Sequence, residues 1–274
     1  MGQSIPDVRV NHLYLVIDAA DLATIQMSDY VKHRLVAVET RTTRTGEGRS
    51  WTGTYLYGKD NYFELFGPDY ANVGRSGIGF SVDNPGDIHA LKGCLENKYK
   101  VSIFRRDRDI DGTGIPWFDS LSIDDPVFHS DSLVGFWVME YKKEYFEYKN
   151  YSQDNGTLTA ESYLSEWESD REGKVIKRFS GVVLTLSAYE MEFLMNYFRS
   201  INYLQMSENE FLSPDNFRFV LKERSPNGTR TIESLEFETA TMLDKETRGL
   251  SGNVSVVIDG DKGRLLFEDP CSLP

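Results

Sequence analysis

The sequence predicts an α+β protein assembled from repeated βαβββ units, and three observations carry that expectation. A short alternating apolar strand runs into an amphipathic helix at three places: NHLYLVIDAADLATIQMSDYV (11–31), GIGFSVDNPGDIHALKGCLENKY (77–99) and SGVVLTLSAYEMEFLMNYFRS (180–200). Each is followed by short strands of period two rather than by another helix. The chain has 274 residues, 40% of them hydrophobic and 13% aromatic, enough to build cores of that size.

In the first unit, the strand NHLYLVID is followed by AVETRTT, WTGTYLYG and NYFELFG. In the second, Asn84 reads as an N-cap with Pro85 at the first helical position, and Ile88, Leu91 and Leu95 share one helical face. VSIFRRDRD follows, then GFWVMEYKKEYFEY beyond a glycine-rich segment, DGTGIPWFDSL (111–121), that reads as a long loop. In the third, Leu194, Tyr197, Phe198 and Ile201 form the stripe, followed by NFRFVLKER, RTIESLEFET and a late pair, NVSVVID and GRLLFED, joined by an expected turn at Asp-Gly/Lys-Gly. The polar stretch 150–178 reads as a connector with helical character from Ala160 to Trp167. Residues 1–150 are expected to form one domain, 151–178 a connector and 179–274 a second, smaller module.

The charge balance is 43 acidic against 30 basic residues, a net −13, which disfavours phosphate backbones; no nucleic-acid partner is expected. No run approaches the roughly 18 apolar residues of a membrane span, and the N-terminal stretch lacks the charged and apolar regions of a signal peptide, so no membrane partner and a cytoplasmic location are expected. Cys94 and Cys271 do not make a disulfide framework or a zinc ribbon. Walker, nucleophile-elbow, H-E-x-x-H and dinucleotide patterns are absent from the sequence.

NYFELFG sets Tyr62, Glu64 and Phe66 on one side of a strand and Phe63 and Leu65 on the other. A carboxylate on such a face calls for a cation, a metal or a watered cavity. His12 shares its strand face with Tyr14 and Val16, and Glu140 shares one with Phe136 and Val138.

In order and spacing, NHLYLVID, NYFELFGP and GIGFSVDNPGDIHALKGCLENKYKV resemble the vicinal oxygen chelate superfamily, the glyoxalase, bleomycin-resistance and extradiol-dioxygenase group. The resemblance covers residues 10–148 well and 180–270 as a diverged module. It implies paired βαβββ modules curled into an open barrel-like cup for a small molecule, plus a further diverged βαβββ-like module. It also implies a divalent metal (Zn, Ni, Mn or Fe) held from the first, fourth, fifth and eighth strands. Carried over by position, the ligands are His12, Glu64 and Glu140; the fifth-strand position, often histidine in the family, is Gly77 here. Under that reading Glu64 or Glu140 acts as the catalytic base, and Tyr14, Tyr62, Trp117 and Phe118 contact the substrate.

Plainer roles stand beside these. Glu64 is equally satisfied by a neighbouring arginine or tyrosine hydroxyl, His12 by a backbone partner, Glu140 by a cross-strand ion pair, and Trp117 and Phe118 by tacking a loop to the core. Three functional readings remain open: a metal-assisted lyase, isomerase or dioxygenase, a metal-free small-molecule binder, and a structural cup filled by its own side chains. A homodimer is expected from uncovered edge strands.

Overall fold

The computed structural model describes residues 4–125, 132–226 and 228–269. The first sheet has eight strands: β1 (Arg9–Val16), β2 (Ala37–Arg44), β3 (Ser50–Tyr57), β4 (Tyr62–Phe66), β5 (Ser76–Val82), β6 (Val101–Ile110), β7 (Thr113–Ile123) and β8 (Val134–Tyr141). Their spatial order is β2-β3-β4-β1-β5-β8-β7-β6. Two four-strand halves therefore meet at the β1–β5 seam, each half made by one βαβββ unit. The sheet curls, and its two edge strands come together where Thr45 bridges Arg108 and Gly46 N–H donates to the Asp107 carbonyl at 3.0 Å. These are the paired modules and the cup that the sequence implied.

β1 and β4 are central and run parallel, in the register His12 opposite Tyr62, Tyr14 opposite Glu64 and Val16 opposite Phe66. That register decides the faces. His12, Tyr14, Tyr62 and Glu64 look into the cup, while Leu13, Leu15, Phe63 and Leu65 look outward into the main core. Both faces of these strands are buried, which explains why they read as near-continuous apolar runs rather than strict alternations.

The second sheet, of six strands, lies behind the outward face: β9 (Ile176–Leu186), β10 (Leu204–Ser207), β11 (Glu210–Leu212), β12 (Arg218–Glu223), β13 (Ile232–Gly249) and β14 (Val254–Phe267), ordered β10-β11-β12-β9-β13-β14. Phe63 packs on Phe179 and Phe267, and Phe80 on Phe198 and Phe219, so one core joins the two sheets. Each such phenylalanine contributes about 1.5–3 kcal/mol of transfer free energy.

Helices α1 (Ala19–Met27) and α2 (Asp87–Leu95) follow β1 and β5. Short helices α3 (Lys143–Lys149), α4 (Ala160–Leu164) and α5 (Glu168–Arg171) follow β8, and α6 (Ala188–Ser200) follows β9. Helix α6 opens with a capping box between Ser187 and Glu190. Glu190 also accepts from Leu133 N–H at 2.7 Å and from Arg224 at 2.9 Å, tying the two sheets together through one carboxylate.

Three sequence expectations are corrected. Helix α2 begins at Asp87 after a left-handed Gly86, not at Pro85. Residues 113–123 form strand β7 rather than a loop; a tight turn at Asp111 and Gly112, both at positive φ, folds β6 back on β7, and a bulge accommodates Pro116. The Asp-Gly/Lys-Gly stretch is no turn but an irregular point within β14, with Gly260 at φ +69°, and the hairpin closes instead at 250–253.

The polar-looking connector fills the open end of the cup. Tyr163 stacks on Tyr141 with ring centroids 4.9 Å apart, and Trp167 on Tyr57 at 4.0 Å. Tyr151, Leu158 and Leu164 join them in a second core inside the cup.

Candidate functional site

The concave face of the first sheet is an aromatic basin with a few polar groups set in it. Tyr55 and Tyr57 come from β3, Tyr62, Glu64 and Phe66 from β4, His12 and Tyr14 from β1, and Trp137 from β8. His12 stacks on Tyr62 at 4.6 Å and meets Trp137 edge-on at 5.2 Å. Tyr14 packs against Phe66 and Tyr70. Strand β5 admits these rings because it has no side chains on this face at two positions. A Cβ on Gly77 would lie 2.2 Å from Tyr14 Cε1, and one on Gly79 would lie 2.5 Å from His12 Cε1.

Asn11 orients His12. Its side-chain oxygen accepts from His12 Nδ1 at 2.8 Å, while its amide donates to the Tyr141 hydroxyl at 3.1 Å. The proton then sits on Nδ1, and Nε2 keeps its lone pair. Burial drives the imidazole pKa down from 6.5 to about 3, so this histidine is neutral across the physiological range.

Glu64 is 7% exposed, and among the described residues it forms no ion pair. Burial raises its carboxyl pKa from 4.5 to about 8, against the opposing pull of Arg41 and the Tyr62 hydroxyl. At neutral pH it is predominantly a carboxylic acid, able to donate a hydrogen bond. A cleft of about 450 Å³ is lined by Arg49, Ser50, Trp51, Thr52, Asp69 and Tyr70, with Glu64 outside its lining. Trp51 packs on the Tyr14–Val16–Phe66 cluster, and Tyr70 stacks on Phe66 at 4.1 Å, so the cleft adjoins the wall around Glu64.

Of the three residues carried over as metal ligands, the structure brings His12 and Glu64 to the same concave face and sends Glu140 to the other. Pairing of Gly79 with Trp137 and of Val82 with Glu140 fixes this: Trp137 and Met139 point inward, Val138 and Glu140 outward. Glu140 Oε2 accepts from the backbone N–H groups of Gly86 and Ile88, both at 2.9 Å, at the start of α2. Its role as a ligand or base in the cup is corrected to that of a helix N-terminal acceptor.

The residues do not fit a metal centre. The fifth-strand position is crossed by the Tyr14 ring, the eighth-strand carboxylate is on the far face, and only one imidazole and one carboxyl remain. Among the described residues no group of three or more His, Cys, Asp or Glu side chains is placed to hold one ion.

Tyr14 and Tyr62 stand in the wall beside Glu64. Trp117 and Phe118 lie in β7 with rings 4.8 Å apart, Trp117 only 6% exposed, so they belong to the second core rather than to a lid. Arg41, for which the local sequence gives no signal, lies over Tyr55 at 4.4 Å and over Trp167 at 5.3 Å. Its inward direction follows from the β2–β3 register, in which it pairs with Gly53. His33 and His89 are exposed, while His129 and Cys271 lie outside the described residues.

The architecture is a strand-rich α+β fold with a curled eight-strand sheet, an aromatic concave face and a buried acid. The chain belongs to the family described as Family of unknown function (DUF5829), which matches residues 10–267. No curated protein matches the sequence. A hypothetical protein from Staphylococcus aureus shares the fold at TM-score 0.55 and 10% identity, over 88% of this chain and 95% of that one. The 2,3-dioxygenase LapB from Pseudomonas sp. KL28 aligns at TM-score 0.47 and 11% identity, over 99% and 97%. Homoprotocatechuate 2,3-dioxygenase from Arthrobacter globiformis aligns at TM-score 0.39 and 14% identity, over 83% and 62%. No helix among the described residues is long and apolar enough to cross a membrane.

Proposed function

We propose that this protein binds a small, oxygen-bearing planar molecule in the cup of its first sheet, without a metal, and that Glu64 is the group that recognises it. The carrying observation is the placement of Glu64. A carboxyl stands on the concave face among Tyr14, Tyr55, Tyr62 and Tyr70, without an ion-pair partner among the described residues, and its wall neighbours Tyr14 and Phe66 pack against Tyr70 of a cleft of about 450 Å³.

A protonated Glu64 donates a hydrogen bond, and His12 Nε2 offers an acceptor on the adjacent strand. A ligand with a carbonyl and a hydroxyl meets both, while its flat body lies against the rings. A carboxyl that titrates near neutrality also has the acidity of a general acid–base group. Proton transfer on an enolisable ligand is therefore the chemistry this pair supports, with no step that needs a metal.

The test is a thermal-shift and calorimetric screen of phenols, hydroxyketones and enolisable carbonyl compounds. The reading expects hits that weaken about tenfold or more as pH rises past 8 and in Glu64→Ala, and that persist in Glu64→Gln. Hits indifferent to both pH and Glu64 would sink it, as would one divalent ion per chain that His12→Ala removes.

A further inference from the structure

A second cleft, of about 460 Å³, opens where β2, the β6–β7 hairpin and α3 meet, and Thr42, Arg44, Arg108, Asp109, Tyr145 and Lys149 form most of its lining. None of these residues lines the cleft beside Glu64, so a ligand bound here would be held independently of that site.

Arg108 is the unusual member. Its guanidinium lies over the Trp117 ring at 4.8 Å, yet Nη1 is buried with no hydrogen-bond partner, and no ion pair to it is formed among the described residues. Its charged neighbour inside the cup is another cation, Arg41, whose Nε is likewise buried and unpartnered. Arg41 at least meets Glu39 at 3.2 Å. Arg108 is half-buried with one donor out of reach of water, and an anion beside the guanidinium offsets part of that cost.

Two acids, Asp109 and Asp111, line the cleft as well. Asp109 Oδ1 accepts from Gly112 N–H at 2.8 Å, Glu166 pairs with Lys149 at 2.8 Å, and Asp111 sits on the β6–β7 turn at the rim. Arg44 is exposed and forms no ion pair among the described residues. Within a chain of net charge −13, Arg44 and Arg108 stand at one cavity without an ion-pair partner among the described residues, while Lys149 is held by Glu166.

We propose that this cleft is a binding site for the oxyanion, carboxylate or phosphate, of a small organic molecule. Arg108 grips the oxyanion, Arg44 and Lys149 close over it, and Tyr145 with Ile110 receives the apolar body. Arginine suits the task because its planar fork matches two oxygens at once.

The experiment titrates the full chain with benzoate, phenyl phosphate and inorganic phosphate, read by calorimetry and by tryptophan fluorescence, since Trp117 lies against Arg108. Saturable binding of benzoate or phenyl phosphate is expected, with inorganic phosphate weaker. Whichever of the two organic anions binds more tightly identifies the headgroup. Arg108→Gln should weaken binding about 10- to 100-fold, the cost of a charged hydrogen bond. Arg108→Lys should recover only part of it. Arg44→Gln and Lys149→Gln, at the rim, should each weaken binding several-fold and keep the test informative if the Arg108 variants fail to fold. No binding of either organic anion would overturn the proposal. So would inorganic phosphate binding as tightly as both, or affinity unchanged across the folded variants.

Discussion

The ring of Tyr14 lies flat across Gly77 of the neighbouring strand, with Cε1 only 2.2 Å from where a Cβ would stand. Glycine and tyrosine are thus one unit, and the position where the vicinal oxygen chelate pattern places a histidine is physically taken. Gly77→Ala should cost about 1–3 kcal/mol by overpacking, read from denaturant melts. Adding Tyr14→Ala should return much of that loss, so the double-mutant cycle should show a coupling of about 1 kcal/mol or more. Simple additivity would mean that Tyr14 does not occupy the space.

Glu64 and His12 give the stability curve a defined shape. The folded pKa of Glu64, about 8, lies above its ordinary 4.5, so the folded state holds a proton that the unfolded chain releases, and stability falls between those two pH values. The folded pKa of His12, about 3, lies below 6.5, so stability rises with pH between 3 and 6.5. The two slopes, each about 1.4 kcal/mol per pH unit, oppose one another from 4.5 to 6.5, leaving a net decline from there to 8. Glu64→Gln should abolish that decline, leaving a plateau above 6.5. Urea unfolding of both proteins at several pH values checks this, and parallel curves would show that Glu64 is not buried as described.

The fold was legible because it is written in hydrophobic periodicity. Strand–helix–strand units recur, and the alternation of Tyr62, Glu64 and Phe66 with Phe63 and Leu65 separates the two faces of β4. Glu140 was misplaced for the same reason that Glu64 was placed: alternation identifies two faces but not which one looks inward. That choice depends on the β5–β8 register, Gly79 opposite Trp137, which is a long-range property. The connector misled through its composition. Its charges coat the outside, while Tyr163, Leu164 and Trp167 turn inward, and a count of polar residues hides those three. Arg41 and Arg108 give no local signal, because their ring partners Tyr55, Trp167 and Trp117 lie on other elements.

Glu140 receives the backbone N–H groups of Gly86 and Ile88, and this assigns it to the stability of α2 rather than to the chemistry of the cup. Glu140→Ala should lower stability by about 1–3 kcal/mol, since it leaves two donors at the helix start without a partner and removes a favourable charge there. The pH dependence attributed to Glu64 should survive unchanged. Loss of that dependence in Glu140→Ala would mean that the two carboxyls share one environment after all.

Trp167 decides whether the cup is simply a packed core. Its indole stacks on Tyr57 at 4.0 Å and holds the guanidinium of Arg41 at 5.3 Å, closing the basin from the connector side. Trp167→Ala should cost about 3–5 kcal/mol and leave an aromatic-walled void. Such a void accepts a matching apolar molecule, so added indole should raise the melting temperature of this variant and leave that of the wild type unmoved. Binding of ligands beside Glu64 should continue in Trp167→Ala, because the Trp51–Tyr70 cleft is built from other elements. If filling or emptying the Trp167 position instead abolishes every ligand response, the second core and the Glu64 site form a single cavity, and the connector is its stopper.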